Sequence, residues 1–308
     1  MIRPTTFDEI IGNEDSKALL KESIKSSKSR NVKLDHIFLA GPSGCGKSTF
    51  ADAIAHEMHN NYEYIMCGNS NDFQTIIMKL MNLKDGDILF LDEVHSLSTT
   101  VLESIYDYLQ NGNVSVKYGT TIMNVEAPKV TIICATTELQ MIPVPFIGRF
   151  PIQIRLTKYT YDQLAKIIIL NSPSENVNMN YESALEIAKA SKGTPRIATQ
   201  YLKRIRDHLF ANNLTTITPS NVNNALKLMG IDSNGLDTVE RNYIIALFDT
   251  FQLKPTGVSS LCAAIGEHEK LVTSQYEPSL MTAGLILKTP SGRVLTPKGM
   301  KLAMAYKK

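Results

Sequence analysis

Residues 41–50 read GPSGCGKSTF, and no other stretch restricts the fold as tightly. Gly41, four intervening residues, Gly46, Lys47 and Ser48 complete the phosphate-loop pattern, which works only between a buried strand and a helix. Both neighbours are present: the apolar run HIFLAG comes before it, and helix-forming sequence follows from Ser48. The residue types suit the chemistry. Glycine at Gly41, Gly44 and Gly46 lets backbone N–H groups, with that of Cys45 among them, close around phosphate oxygens. The helix N-terminus beyond adds a favourable dipole. Lys47 reaches the terminal phosphates, the Ser48 hydroxyl is a magnesium ligand, and Thr49 completes the nucleotide-binding run. A glycine-rich turn that merely fits the pattern is the bland alternative.

Strands alternate with helices through the first half of the chain. DGDILFLDE and KVTIICATT read as buried strands, VLESIYDYLQNG as a helix, and VSVKYGTTIMNV as a hairpin about Tyr118-Gly119. That order predicts a mostly parallel, helix-covered sheet whose ligand site lies at the carboxyl ends of the strands. From about Thr160 the pattern is helical only, in YDQLAKIIIL, YESALEIAKAS, PRIATQYLKRIRDHLF and PSNVNNALKLM. After the linker GIDSNG, Leu236, Val239, Tyr243, Ile244, Leu247, Phe248 and Phe251 fall at helical spacing. Two short helices and a pair of strands in GLILKTPSGRVLTP follow, which is the order of a winged helix. The predicted architecture is an α/β P-loop domain with a parallel sheet over 1–156, an all-α lid over 157–232 and a winged-helix domain over 236–308.

Composition narrows the class. A formal net charge of +2 gives no bulk argument for nucleic acid. Cys45, Cys67, Cys134 and Cys262 are scattered without a CxxC pair, which argues against a zinc site or a disulfide framework. No apolar run reaches membrane-spanning length, and the opening MIRPTTFDEI lacks a signal-peptide pattern, so a cytoplasmic protein is expected.

The acid pair in ILFLDEVH is the second chemical feature. Asp92 at the end of an apolar strand holds Mg²⁺ beside the phosphate loop, and Glu93 orients or deprotonates an attacking water. A solvated strand end is the alternative for either acid taken alone. Water as acceptor points to hydrolysis rather than to a kinase. Thr136 and Thr137 end the neighbouring strand, where a hydroxyl meets the γ-phosphate or the water. Arg149, in a loop before the next strand, is placed to act on a neighbouring subunit as an arginine finger, the alternative being an arginine paired with a surface carboxylate. Arg196 sits in the first turn of a helix opened by Thr194-Pro195, where anions rather than cations are favoured; that suggests a phosphate close by, unless the arginine has a partner of its own.

In the order phosphate loop, LFLDEVH, ATT, GRF and KGTPR, the chain resembles an AAA+ ATPase. Within that class it is similar to the RuvB-type Holliday-junction branch-migration motors over nearly its whole length. IRPTTFDEIIGNE, DGDILFLDEVHSL and the tail from GVSSLCAAIGEHEKLV to LILKTPSGRVLTPKG carry the resemblance. The tail is the most specific, because other AAA+ proteins lack it. The resemblance implies that Ile2, Arg3, Asp107, Tyr108, Leu109 and Tyr159 line the nucleotide pocket. It puts Arg149 at the finger position, Arg196 at the second-sensor position, and Lys288 and Arg293 on the DNA backbone. Independently, from Pro278 to the C-terminus there are lysines and arginines and no acid, a local basic patch suited to phosphate, or else a solvated basic tail. The hairpin at about residues 114–126, with Ile122, Met123 and Val125, corresponds to the surface for a RuvA-like junction-binding partner, unless those residues are core. Two positions depart from the family pattern, which has arginines where this chain has Ile147 and Glu138.

The expected function is therefore a hexameric, ATP-hydrolysing, Mg²⁺-dependent motor that drives branch migration of Holliday junctions through contacts to DNA phosphates. A clamp-loader-like or switch ATPase shares the nucleotide chemistry, and a non-enzymatic DNA-binding protein that uses nucleotide only to set its oligomeric state is the third reading.

Overall fold

The computed structural model of the chain describes residues 4–69, 72–118, 121–214 and 217–307, with the backbone alone for 115–118 and 121–123. The chain forms two compact units, Met1–Ser174 with Thr194–Arg196, and Glu175–Gly193 with Ile197–Lys308.

In the first unit, helix α1 (Glu14–Arg30), strand β1 (Ile37–Ala40), α2 (Lys47–Met58), β2 (Tyr62–Met66), α3 (Asp72–Asn82), β3 (Ile88–Asp92) and α4 (Thr99–Asn111) follow in order. The hairpin β4 (Asn113–Tyr118) and β5 (Thr121–Glu126), β6 (Thr131–Thr136), the short α5 (Val144–Ile147), β7 (Ile152–Arg155) and α6 (Tyr161–Asn171) complete it. Five strands form a sheet in the order β2-β3-β6-β1-β7, with every pairing parallel. β1 has its sequence-remote partners β6 and β7 on its two sides, so the order reverses there, and the loop after β1 opens at the switch point.

Period-two alternation explains the layers. Phe38, Leu89, Leu91, Ile132 and Cys134 pack on one face with Ile76 and Leu80 of α3 and Leu102 and Ile105 of α4. Ile37, Leu39, Ile88, Phe90 and Ile133 pack on the other with Leu20 and Ile24 of α1 and Phe50 and Ile54 of α2. Because β1, β3 and β6 are buried at every residue, they read as continuous apolar runs in the sequence. β2 is an edge strand with only Ile65 buried, and neither it nor α3 is expected from the sequence reading. β4 and β5 pair separately and antiparallel, from Asn113↔Glu126 to Tyr118↔Thr121, as the hairpin pattern predicts.

The second unit contains α7 (Tyr181–Ala190), α8 (Pro195–Ala211), whose first two residues group with the first unit, and α9 (Pro219–Leu228). Then come α10 (Thr238–Ile245), α11 (Val258–Ile265), α12 (Glu269–Leu271), α13 (Glu277–Thr282), β8 (Ile286–Thr289), β9 (Gly292–Leu295) and α14 (Pro297–Tyr306). Asp237 and Glu240 form a reciprocal capping box that starts α10, and a π-turn at Ala246–Thr250 ends it. β8 and β9 form the expected hairpin, with Lys288 opposite Arg293. Tyr243, Leu247, Leu261, Val272, Leu280 and Ile286 supply the core. The additional helix α14 begins at an N-cap, Thr296, followed by Pro297 at the first helical position.

Candidate active site

The loop after β1 is built for close approach. Gly44 has φ +74°, and a Cβ there would lie 2.8 Å from Thr194 Cγ2 and 2.9 Å from Arg196 Cβ. Both the conformation and the space therefore demand glycine. Gly46, with φ 99°, opens α2, and no side chain caps that helix. The first N–H groups of α2 are left for an anion. Tyr159 donates its hydroxyl to Cys45 O at 3.4 Å, tying the loop to the chain after β7. Burial pushes the Tyr159 phenol up to about 12 and raises the Cys45 thiol above its usual value.

Lys47 is 6% exposed, and its ammonium donates to Gly41 O at 2.9 Å and Pro42 O at 3.3 Å. Burial lowers its pKa, opposed by the charges of Glu93 and Asp92. Asp92, at the end of β3, is 7% exposed. Its Oδ2 accepts the Ser48 hydroxyl at 3.3 Å and its Oδ1 accepts the Glu93 N–H at 3.0 Å. Burial first, and the neighbouring Glu93 charge second, raise the Asp92 carboxyl pKa. A buried cation and a buried anion are thus brought together with few hydrogen-bond partners each.

Glu93 follows in the left-handed region, φ 56° and ψ 46°, a strained backbone for a residue with a side chain. Its Oε2 accepts the Thr137 hydroxyl at 2.9 Å and the Thr137 N–H at 3.2 Å, and lies 3.3 Å from His95 Nδ1. The same His95 nitrogen is 3.1 Å from Thr136 Oγ1, and its Nε2 is 3.8 Å from Glu138 Oε1. Because β3 and β6 are parallel neighbours, with Leu91 opposite Cys134, the acid pair and the two threonines emerge at the same edge.

The remaining expected residues fall in several places. Arg196 donates from Nη1 to Ser43 Oγ at 3.4 Å, so it reaches the phosphate loop. Arg149 is exposed; it donates to the Tyr106 hydroxyl and lies over the Tyr106 ring, 4.6 Å from the centroid. Ile2 and Arg3 lie outside the described residues. Asp107, on α4, accepts from Asn111 Nδ2 at 2.7 Å. Tyr108, on the same helix, has its side chain turned into the core. It is 5% exposed, donates to Pro128 O at 2.6 Å and accepts from Val130 N at 3.0 Å, so it pins α4 to the start of β6. Leu109, Val125 and Ile147 pack against the same core, while the side chains of Ile122 and Met123 lie outside the described residues.

On the wing, Lys288 is exposed, whereas Arg293 already has a carboxylate partner. It is 9% exposed, its Nε and Nη2 donate to the two oxygens of Glu277 at 2.7 and 3.1 Å, and the Tyr243 hydroxyl donates to Glu277 Oε1 at 3.0 Å. Its backbone also pairs with Thr256, which seats β9 on the chain before α11. Sequence reasoning missed His95 and Tyr106. The only local signal for His95 is its position in the turn directly after the acid pair, and Tyr106 has none.

Family models match the chain over residues 2–156 (Holliday junction DNA helicase RuvB P-loop domain), 159–232 (RuvB AAA lid domain) and 233–303 (RuvB C-terminal winged helix domain). The chain belongs to the RuvB family. Among its relatives, the Holliday junction branch migration complex subunit RuvB of Fusobacterium nucleatum subsp. nucleatum is 36% identical over 304 residues, covering 96% of this chain and 91% of that protein. The subunit of the same name from Campylobacter fetus is 38% identical over 304 residues, covering 96% and 87%. Among solved structures, a point mutant of Thermotoga maritima RuvB has a TM-score of 0.86 at 32% identity, covering 98% of this chain and 99% of that one. The Thermotoga maritima RuvB Holliday junction branch migration motor has a TM-score of 0.84 at 32% identity, covering 98% of both. The RuvB family thus accounts for the P-loop sheet, the lid and the winged helix together. No described helix is long and apolar enough to cross a membrane.

Proposed function

We propose that this RuvB-family chain is an ATP-hydrolysing motor that drives branch migration on four-way DNA junctions. It works as a homo-hexameric ring in the cytoplasm, with functional domains over 1–156, 157–232 and 236–308. The observation that carries the reading is the convergence of Lys47, Ser48, Asp92, Glu93 and Thr137 at the ends of β1, β3 and β6, with the exposed Arg149 tied to α4. Lys47 exchanges its carbonyl partners for the terminal phosphates, and the N–H groups of Gly44, Cys45, Gly46 and Thr49 hold the rest of the phosphate chain. Ser48 and Asp92 offer hard oxygen donors 3.3 Å apart, which suits Mg²⁺. When bound, the metal neutralises phosphate charge.

Glu93 takes the proton of the attacking water, and Thr137, bonded to Glu93, reports the γ-phosphate. Arg196, beside Ser43, reports the γ-phosphate, and Arg149 completes the site of a neighbouring subunit. By the family resemblance Ile2, Arg3, Asp107, Tyr108, Leu109 and Tyr159 belong with the nucleotide pocket. Lys288 and Arg293 contact DNA phosphates, and Arg293 also holds the wing in shape through Glu277. Such contacts carry little sequence preference and strong salt dependence. The hairpin β4–β5 is assigned to a RuvA-like partner, in keeping with relatives named as subunits of a branch migration complex.

Steady-state ATP hydrolysis with four-way junction, linear duplex and no DNA tests the reading. Wild type is compared with Glu93→Gln, Arg149→Ala and a mixture of the two. DNA-stimulated turnover, recovered in part by the mixture, is expected. DNA-independent turnover without recovery refutes the inter-subunit motor and favours a switch ATPase.

A further inference from the structure

Arg149 and Tyr106 are 43 residues apart, on the loop before β7 and on α4. They meet in two ways at once. The guanidinium donates from Nη2 to the phenol oxygen, and its carbon lies 4.6 Å from the ring centroid. Each interaction alone leaves a long side chain several rotamers, but together they leave few. A fork fixed both to an edge oxygen and to a π-face has its direction set. Tyr106 can serve as a platform because α4 is anchored beneath it. Ile105 and Tyr108 are 5% exposed, and Tyr108 is bonded to Pro128 and Val130. The loop that carries Arg149 is held as well, by Phe146 and Phe150, which are buried with ring centroids 5.3 Å apart.

We infer that Tyr106 is a positioning residue for Arg149, ordering the guanidinium before it meets the nucleotide of a neighbouring subunit. The inference rests on the trans role proposed above for Arg149. Pre-ordering matters because an extended arginine loses rotamer freedom when it engages, and a contact that fixes it beforehand lowers that cost in the transition state. The effect must therefore follow the subunit that donates the finger and leave the subunit that binds the nucleotide unaffected.

That asymmetry gives the experiment. Full-length chains with ATP, Mg²⁺ and junction DNA are mixed in pairs. In the control, Glu93→Gln subunits lend Arg149 to Arg149→Ala subunits, which keep Glu93. In the first test mixture Tyr106→Leu is added to the Glu93→Gln chain, and in the second to the Arg149→Ala chain. The first is expected to lose between about tenfold and a hundredfold in kcat with KM for ATP little changed, while the second matches the control. Tyr106→Phe in the donor chain, which keeps the ring and loses the hydroxyl acceptor, should cost about threefold. Equal losses in the two test mixtures mean that Tyr106 only supports its own subunit's fold, and overturn the inference. No loss in the first, or a gain, overturns it as well, because Arg149 then needs no guide or is restrained by one. A control mixture that recovers no turnover refutes the trans reading itself and the inference with it, and is told apart by that control.

Discussion

Each unit buries a cluster of opposite charges, and the two clusters are satisfied to different degrees. In the second unit Glu277 takes two guanidinium bonds from Arg293 and a hydroxyl from Tyr243, and the carboxylate holds the Arg293 proton more firmly than usual. In the first unit Lys47 rests on two carbonyls, Asp92 on one hydroxyl and one N–H, and burial works against the charge on both. A completed cluster stabilises architecture. An incomplete one is kept for a ligand, and its members can be removed at little structural cost.

The sharpest way to break this comparison is Lys47→Met. ATP turnover should fall roughly 10²-fold or more, while thermal stability without nucleotide stays level or rises, because a buried cation with weak partners is removed. A large loss of stability would place Lys47 with the architectural charges. Arg293→Met should do the opposite: it strands Glu277 and costs about 3–5 kcal/mol in urea unfolding, with the first unit still able to bind nucleotide. Replacing both partners, as Arg293→Met with Glu277→Leu, should recover most of that loss, and no recovery would mean that the pair also fixes the backbone between Thr256 and β9.

Acid sensitivity should separate the units further. In the first, burial pushes His36 down to about 3 from an ordinary 6.5, and its Nδ1 accepts the Ile132 N–H at 2.9 Å. The native state therefore prefers neutral His36. Its contribution is complete above pH 6.5 and is lost as pH falls below 6.5 towards 3, at about 1.4 kcal/mol per pH unit. Urea unfolding at pH 7 and pH 5 should show a loss of about 2 kcal/mol assigned to the first unit, and His36→Asn should reduce it. The smallest effect is Tyr243→Phe, expected to cost about 1 kcal/mol, since Glu277 keeps both bonds to Arg293. A cost near that of Arg293→Met would show that the hydroxyl, not the guanidinium, carries the cluster.

Much of the fold was legible in the sequence because its determinants are local. The β1–loop–α2 turn depends on closely spaced glycines and backbone N–H groups, so GPSGCGKS predicts it outright. Three sheet strands read correctly because each has an apolar run at its centre, being covered on both sides. β2 escaped notice because an edge strand with one buried residue leaves no such run. The helices after Thr160 were legible from their spacing, and α14 was overlooked although Thr296-Pro297 marks its start.

For the site, the sequence by itself determined which groups are present: a phosphate loop, an acid pair, threonines at a strand end and two placed arginines. Only the tertiary structure decided what those groups touch. Arg293 reads as a cation on a wing strand, yet its charge is taken up by Glu277, 16 residues earlier. Tyr108 follows Tyr106 by two positions on one helix, which turns the first into the core and the second towards Arg149. His95 meets Thr136 across 41 residues because β3 and β6 lie side by side. Backbone chemistry is written in neighbouring residues, whereas a side chain's partner depends on which distant strand or helix packs beside it.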